Sequence, residues 1–444
     1  MKLPSACLVA LGLARVSAFA PGPAATGTHL TAGRRRAWNT AAMSQARFMS
    51  TKEKAEATAT SADADDTDDD AADAEGPAPT ILPEFAAARD SVTETLNAAV
   101  ETKSMAAMLA HFTNEYFAAA SNSFAAGNAE YNPKDAAQRF MKALELGMKH
   151  GMGGNKFTFG VTHKALRGKG DAHDNELEDA DGNPNTYDFY KFGCDFFRPA
   201  MDLENSAVLG QENLAKAVQQ IKDGENVVFL ANHQSEADPQ VFSVLLETIG
   251  LNDEAADVVY VAGHKVTTDA LAIPFSMGRN LLCIHSKKHL DADPETKPVK
   301  QRQNLAAMSE MLGMLKEGGA SLWVAPSGGR DRRDVETGEV PIAKFDRKTI
   351  DMFRLMGVKS KKKTHFYPLA MVSYDLCPPP DFVEAGVGEE RNVRFCPIGI
   401  NCGEEVPNVG GAEGREKFTQ HAFEDADRLY HETLKAIEEN LGKK

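Results

Sequence analysis

The chain has no run of eighteen or more apolar residues, so no segment reads as a membrane-spanning helix. Its six cysteines (Cys7, Cys194, Cys283, Cys377, Cys396, Cys402) contain no CxxC spacing and no tidy pairing pattern. Free thiols in a reducing compartment fit this better than metal ligands or a disulfide framework. Neither GxxxxGKS/T nor GxGxxG occurs, which excludes a P-loop and a dinucleotide-binding turn. Ser327 lacks a GxSxG elbow, which argues against a serine-nucleophile hydrolase. No His/Cys/Asp set has metal-ligand spacing, so neither a metal nor an organic cofactor is expected. No solenoid-length repeat is found.

Charge is missing in blocks. Residues 1–54 carry eight Lys/Arg and one acid, and residues 55–80 carry nine acids and no base. The rest of the chain is acidic, with a balance of −13 out of the total of −15. A nucleic-acid binder would be basic, so that class does not fit. An anionic ligand must instead be met by local basic clusters.

The first block opens with Lys2, a short apolar stretch (Ala6–Ala14) and the small residues Val16-Ser17-Ala18, the pattern of a signal peptide over residues 1–18. Residues 19–54, rich in Ala, Thr, Ser and Arg, read as a transit peptide. The junction Ala18-Phe19-Ala20-Pro21 resembles the bipartite leaders of algae whose plastids lie inside extra membranes. An ordinary secreted protein is the alternative. Residues 55–80 cannot bury enough apolar surface to offset the entropy of ordering and read as a disordered acidic linker.

From Leu82 to His150 apolar residues recur at helical spacing: Phe85, Val92, Leu96 and Val100, then Met105, Met108, Phe112 and Phe117. Asn132-Pro133 opens a third helix with a cap and a first-turn proline. Residues 81–155 therefore read as a small helical bundle domain. Beyond it, strand candidates (226–231, 258–262, 281–285, 321–325, 365–374, 392–400) alternate with helix candidates (240–249, 298–316, 346–356, 413–440). This predicts an α/β domain over 156–444, a mixed, largely parallel sheet flanked by helices. Ligands in such sheets sit beyond the carboxyl ends of strands.

The strand 226–231 runs into Asn232-His-Gln-Ser-Glu-Ala-Asp-Pro239. A histidine there, with a carboxylate five residues on, suits a general base held by its orienter. Asp238 read instead as a helix cap before Pro239 is the alternative. Among the twelve histidines a second His-x4-Asp occurs, His264…Asp269, so the bare pattern does not choose between them. Two basic blocks also follow strands: Ser286-Lys-Lys-His289 and Pro326-Ser-Gly-Gly-Arg-Asp-Arg-Arg333. Glycines admit close backbone approach and arginines grip phosphate oxygens in pairs, so the two blocks suit one dianion. Exposed basic loops are the bland alternative.

In order along the chain, 232–239, Pro274–Cys283, Ser286–His289, Ala325–Arg332, Tyr367–Ala370 and Pro378–Pro380, with Tyr187–Gly193 and Arg198–Asp202 upstream, resemble the glycerolipid acyltransferases. Within them the chain is most similar to the soluble plastid glycerol-3-phosphate acyltransferases. The resemblance covers roughly residues 185–405. It implies His233 as general base, Asp238 as its partner, and Lys288, His289, Arg330 and Arg332 on the substrate phosphate. The family carries an acid where His264 stands, so His264 is a departure and not the base. Cys194 is another departure, read as packing, and no role is carried onto Met371–Asp375.

The implied reaction moves an acyl group from acyl-acyl-carrier-protein, or acyl-CoA, onto the 1-hydroxyl of glycerol 3-phosphate. It yields lysophosphatidate in the plastid stroma, without a covalent intermediate. Lys359-Ser-Lys-Lys-Lys363 is a candidate docking patch for the acidic carrier, or a solvated loop. Peripheral contact with a membrane surface is compatible with this reading. The alternatives are a lysophosphatidate acyltransferase and a catalytically silent acyl-carrier- or lipid-binding protein on the same scaffold.

Overall fold

Where β-branched residues are scarce the chain forms three helices, α1 (Pro83–Ala99), α2 (Lys103–Ala125) and α3 (Pro133–Leu146). The computed structural model describes residues 81–99, 103–152, 156–168, 187–286, 290, 294–380, 391–408 and 411–443. The signal, transit and linker segments expected over 1–80 lie outside the described residues, as do the side chains of Val100 and Met105. Asn132 caps α3, its side chain accepting from Lys134 N and Asp135 N at 3.1 and 3.2 Å, with Pro133 in the first turn. Phe85, Val92, Leu96, Phe112, Phe117 and Phe140 are buried.

The remainder adds β1 (Thr162–His163), α4 (Phe189–Phe197), β2 (Ala207–Leu209), α5 (Gln211–Lys222), β3 (Asn226–Ala231), α6 (Asp238–Thr248), α7 (Asn252–Asp257), β4 (Val259–Gly263) and α8 (Ile273–Met277). It continues with β5 (Asn280–Ile284), α9 (Lys297–Glu317), β6 (Ser321–Val324), α10 (Arg347–Ser360), β7 (Thr364–Val372), β8 (Gly399–Cys402) and α11 (Gly411–Leu441). The sheet order is β1-β5-β4-β6-β3-β7-β8-β2. Its five central strands, from β5 to β7, are mutually parallel. β1 and β8 join antiparallel, and β2 lies parallel to β8. The fold is thus α/β with a mixed, largely parallel sheet.

β3 is buried at all six positions, as a central parallel strand covered on both faces must be. Its alternation divides the core. Val227, Phe229 and Ala231 join the aromatic cluster of α2, α3 and α4, while Val228 and Leu230 face Met311 of α9, Phe353 of α10 and Phe418 of α11. The first cluster runs without a break from the helical segment to the sheet, with Tyr116 of α2 stacked 4.6 Å from Phe196 of α4. The helical segment and the sheet fall within one compact unit, Pro79–Lys444.

The expected strand over 392–400 is corrected. Only Gly399–Cys402 pairs as a strand, preceded by an isolated bridge between Met201 and Cys396. Pro397 has no N–H to give a ladder at that point. α4, α5, α7, α8, β1 and β2 are not among the expected elements. The strands among them are two and three residues long, too short for alternation to register.

Candidate active site

Because β3 to β7 run parallel, the loops after β3, β4, β5, β6 and β7 all leave the same edge of the sheet. Beyond Ala231 the β3–β7 ladder ends, and side chains take over the pairing. Asn232 accepts from Met371 N at 2.7 Å through Oδ1 and donates to Met371 O at 3.0 Å through Nδ2. Two residues on, Gln234 Oε1 accepts from Ser373 N and Tyr374 N at 2.8 and 3.1 Å. Both amides are fully buried. His233, between them, turns the other way and keeps 28% of its side chain exposed.

His233 Nδ1 donates to Asp238 Oδ2 at 2.7 Å, and its other ring nitrogen has no partner among the described residues. The Trp323 ring stands edge-on to the imidazole, 5.9 Å away. Asp238 is wholly buried yet accepts five hydrogen bonds. Besides His233 the donors are Gln234 N (2.8 Å), Ser235 N (3.0 Å), Ser235 Oγ (3.0 Å) and Ser373 Oγ (2.6 Å). Burial would raise its pKa, but the bond and charge of His233, with Ser373 and Gln234 N, outweigh it and hold the carboxyl below the usual range. The capping alternative for Asp238 does not describe what its carboxylate does. Ala237 is the cap residue of α6, and Asp238 reaches back to the loop before it.

After β6, Gly328 takes a left-handed φ of 71° that turns the chain, its N–H donating to Ala325 O. Asp331 then points inward. Its N donates to His233 O at 2.6 Å, and its carboxylate accepts from Asn232 Nδ2 (3.0 Å) and Ala343 N (2.8 Å). With fewer donors than Asp238, burial dominates and pushes its pKa up to about 6. Of the flanking arginines, Arg330 comes within 3.8 Å of Glu236 in the His233–Asp238 loop. Arg332 donates to Pro380 O. Arg333 is engaged by Asp375 and Gly338 O. The structure thus brings the β6 loop against the His233 loop. Lys288 and His289, predicted for the same phosphate, lie outside the described residues.

The second His-x4-Asp is built differently. His264 sits in a short turn after β4 with Nδ1 3.2 Å from Thr267 Oγ1, and its ring lies 4.5 Å from that of His285. Asp269 pairs instead with Arg391 at 2.8 Å, and Arg391 also holds Glu236 at 3.2 Å. Sequence reasoning passed over Asn232, Gln234, Asp331, Ser373, Glu236 and Arg391. The available signal was the polar Asn-His-Gln-Ser run attached to a wholly apolar strand. Among the described residues no group of three or more His, Cys, Asp or Glu could hold a metal, and no helix is long and apolar enough to cross a membrane.

The segment that carries this buried carboxylate, its imidazole and the arginine-bearing loop, residues 206–372, matches the family model described as Acyltransferase. Over that span the chain is similar to the acyltransferase family. More particularly, it is 36% identical over 301 residues to "Glycerol-3-phosphate acyltransferase, chloroplastic" of Arabidopsis thaliana, covering 64% of this chain and 60% of the relative. The protein of the same name from Spinacia oleracea is 42% identical over 219 residues, covering 49% and 46%. That from Phaseolus vulgaris is 38% identical over 266 residues, covering 58% and 57%. The chain thus spans about half to three fifths of the length of these curated relatives.

Proposed function

We propose that the chain is a glycerol-3-phosphate 1-O-acyltransferase, using His233 as general base and Asp238 as its orienter. The observation that carries this is the 2.7 Å bond from His233 Nδ1 to a buried, ionised carboxylate, which leaves the opposite ring nitrogen to accept a proton. Glycerol 3-phosphate is held by its phosphate on Arg330 and Arg332, with Lys288 and His289 completing the set. The ring nitrogen takes the proton of the 1-hydroxyl as its oxygen attacks the thioester carbonyl. The C–O bond forms, the C–S bond breaks, and the imidazolium returns its proton to the departing thiolate. Lysophosphatidate and free thiol leave, with no covalent enzyme intermediate. Positioning and base catalysis supply the rate.

The acyl donor is a thioester of acyl carrier protein or of CoA. Lys359–Lys363 joins α10 to the amino end of β7, while His233 stands at the carboxyl edge. The nine-residue β7 separates the two by ~30 Å. A carrier docked on those lysines would have to reach across that length to deliver its thioester to the His233 edge. The names of the relatives and the leader pattern of residues 1–54 support a plastid stromal enzyme imported through a bipartite leader.

The test is thiol release from both donors, with and without labelled glycerol 3-phosphate, in the wild type and Arg330→Ala. Loss of a charge-assisted phosphate contact should raise the KM for glycerol 3-phosphate by about ten-fold or more. An unchanged KM would remove Arg330 from the phosphate site. Thiol release independent of glycerol 3-phosphate would make the protein a thioesterase.

A further inference from the structure

The five donors on Asp238 are not equivalent. Four belong to residues 233–235, the same short loop that carries the base, and move with it. The fifth, Ser373 Oγ at 2.6 Å, comes from the end of β7, 135 residues away. Ser373 is 1% exposed, and its backbone N–H is also committed to this loop, donating to Gln234 Oε1 at 2.8 Å. A hydroxyl this close to a carboxylate is a charge-assisted bond, shorter and about twice as strong as a neutral one. With Ser235 N and Oγ, both at 3.0 Å, it holds Oδ1 of Asp238, and among the described residues it is the one donor to this carboxyl group from outside the His233 loop.

We infer that Ser373 is a positioning residue, the third member of a Ser373–Asp238–His233 chain that ties the base to the sheet. Without its hydroxyl the carboxyl group is held only by donors of the loop that carries His233. His233 then keeps its partner but loses its fixed aim at the acceptor hydroxyl. Ser373 touches neither substrate, so acceptor binding through Arg330 is unaffected. The kinetic part of this inference rests on the acyl-transfer reading; the geometric part does not.

Two measurements test it on the full chain. In steady-state assays Ser373→Ala should lower kcat by about ten-fold while the KM for glycerol 3-phosphate stays within about two-fold, the split expected when aim rather than binding is lost. Ser373→Thr, which keeps a hydroxyl, should recover most of kcat. By proton NMR of the unliganded protein, the Nδ1–H resonance of His233 should shift or broaden in Ser373→Ala and return in Ser373→Thr, whether or not any acceptor is turned over. A kcat for Ser373→Ala within two-fold of wild type, or equal losses in the Ala and Thr variants, overturns the proposal, as does an unmoved resonance. If the wild type acylates no glycerol 3-phosphate, the functional reading fails and the NMR outcome still decides the role of Ser373.

Discussion

Two segments of this protein spell the same pattern, His233…Asp238 and His264…Asp269, and both follow parallel strands at the same edge of the sheet. Only the first forms a pair. Asp238 is ringed by five donors and aims at its histidine, whereas Asp269 is captured by Arg391 and by Leu271 N, and His264 turns to Thr267. His264 is left beside His285 and Lys300, and burial with those two charges lowers its pKa. A spacing of five permits a base and its orienter; the competitors for the carboxylate decide whether they meet.

The comparison breaks most directly at the histidines. His233→Ala should lower kcat/KM by about three orders of magnitude, within the range general base catalysis supplies, and His264→Ala should leave it within about two-fold. Equal losses in the two variants would dissolve the distinction. Next come the carboxylates. Asp238→Asn should cost at least about a hundred-fold in kcat, because a neutral amide neither fixes the ring tautomer nor stabilises the imidazolium. Asp269→Asn should spare kcat but cost about 2 kcal/mol of unfolding free energy in urea, since Arg391 keeps only Glu236.

The smallest effect is in the pH dependence of stability. Asp238 and Asp269 have depressed pKa values, so their contributions are present above the ordinary carboxylate range and fade as pH falls through the folded values, below about pH 4. Asp331 has the opposite sign. With its pKa raised to about 6, its contribution is complete below the unfolded value and is lost as pH rises from the ordinary range toward 6. Asp331→Asn should therefore flatten the stability profile in that window by an amount on the order of 2 kcal/mol, while Asp269→Asn flattens it on the acid side. Denaturation midpoints measured across pH 3 to 7 separate the two; matching profiles would contradict the assigned directions.

Much of the sheet was readable because its central strands are short apolar runs bounded by glycine and charge. The expected 226–231 coincides with β3, and β4 to β6 differ from expectation by a residue at either end. The stretch 392–400 misled because apolar residues around Pro397 imitate a strand that proline cannot pair. α5 hides in plain view, with Leu214, Val218 and Ile221 at helical spacing inside a polar segment. At the site, His233 and Asp238 were legible as a pair only together with the other ordered blocks. The residues that enforce the pairing were not. Ser373 lies 135 positions from Asp238, and Arg391 lies 122 from Asp269. Nothing local marks contacts made across that much chain; they exist only once β3, β6 and β7 are set side by side.

The substitution of amide side chains for peptide pairing beyond Ala231 has a mechanical consequence. Asn232 and Gln234 act as struts between the two segments, satisfying the N–H and C=O of Met371 and the N–H groups of Ser373 and Tyr374. Sliding β7 along β3 would break these amide bonds as well as the ladder, so they lock the strand register at the end of the sheet where His233 sits.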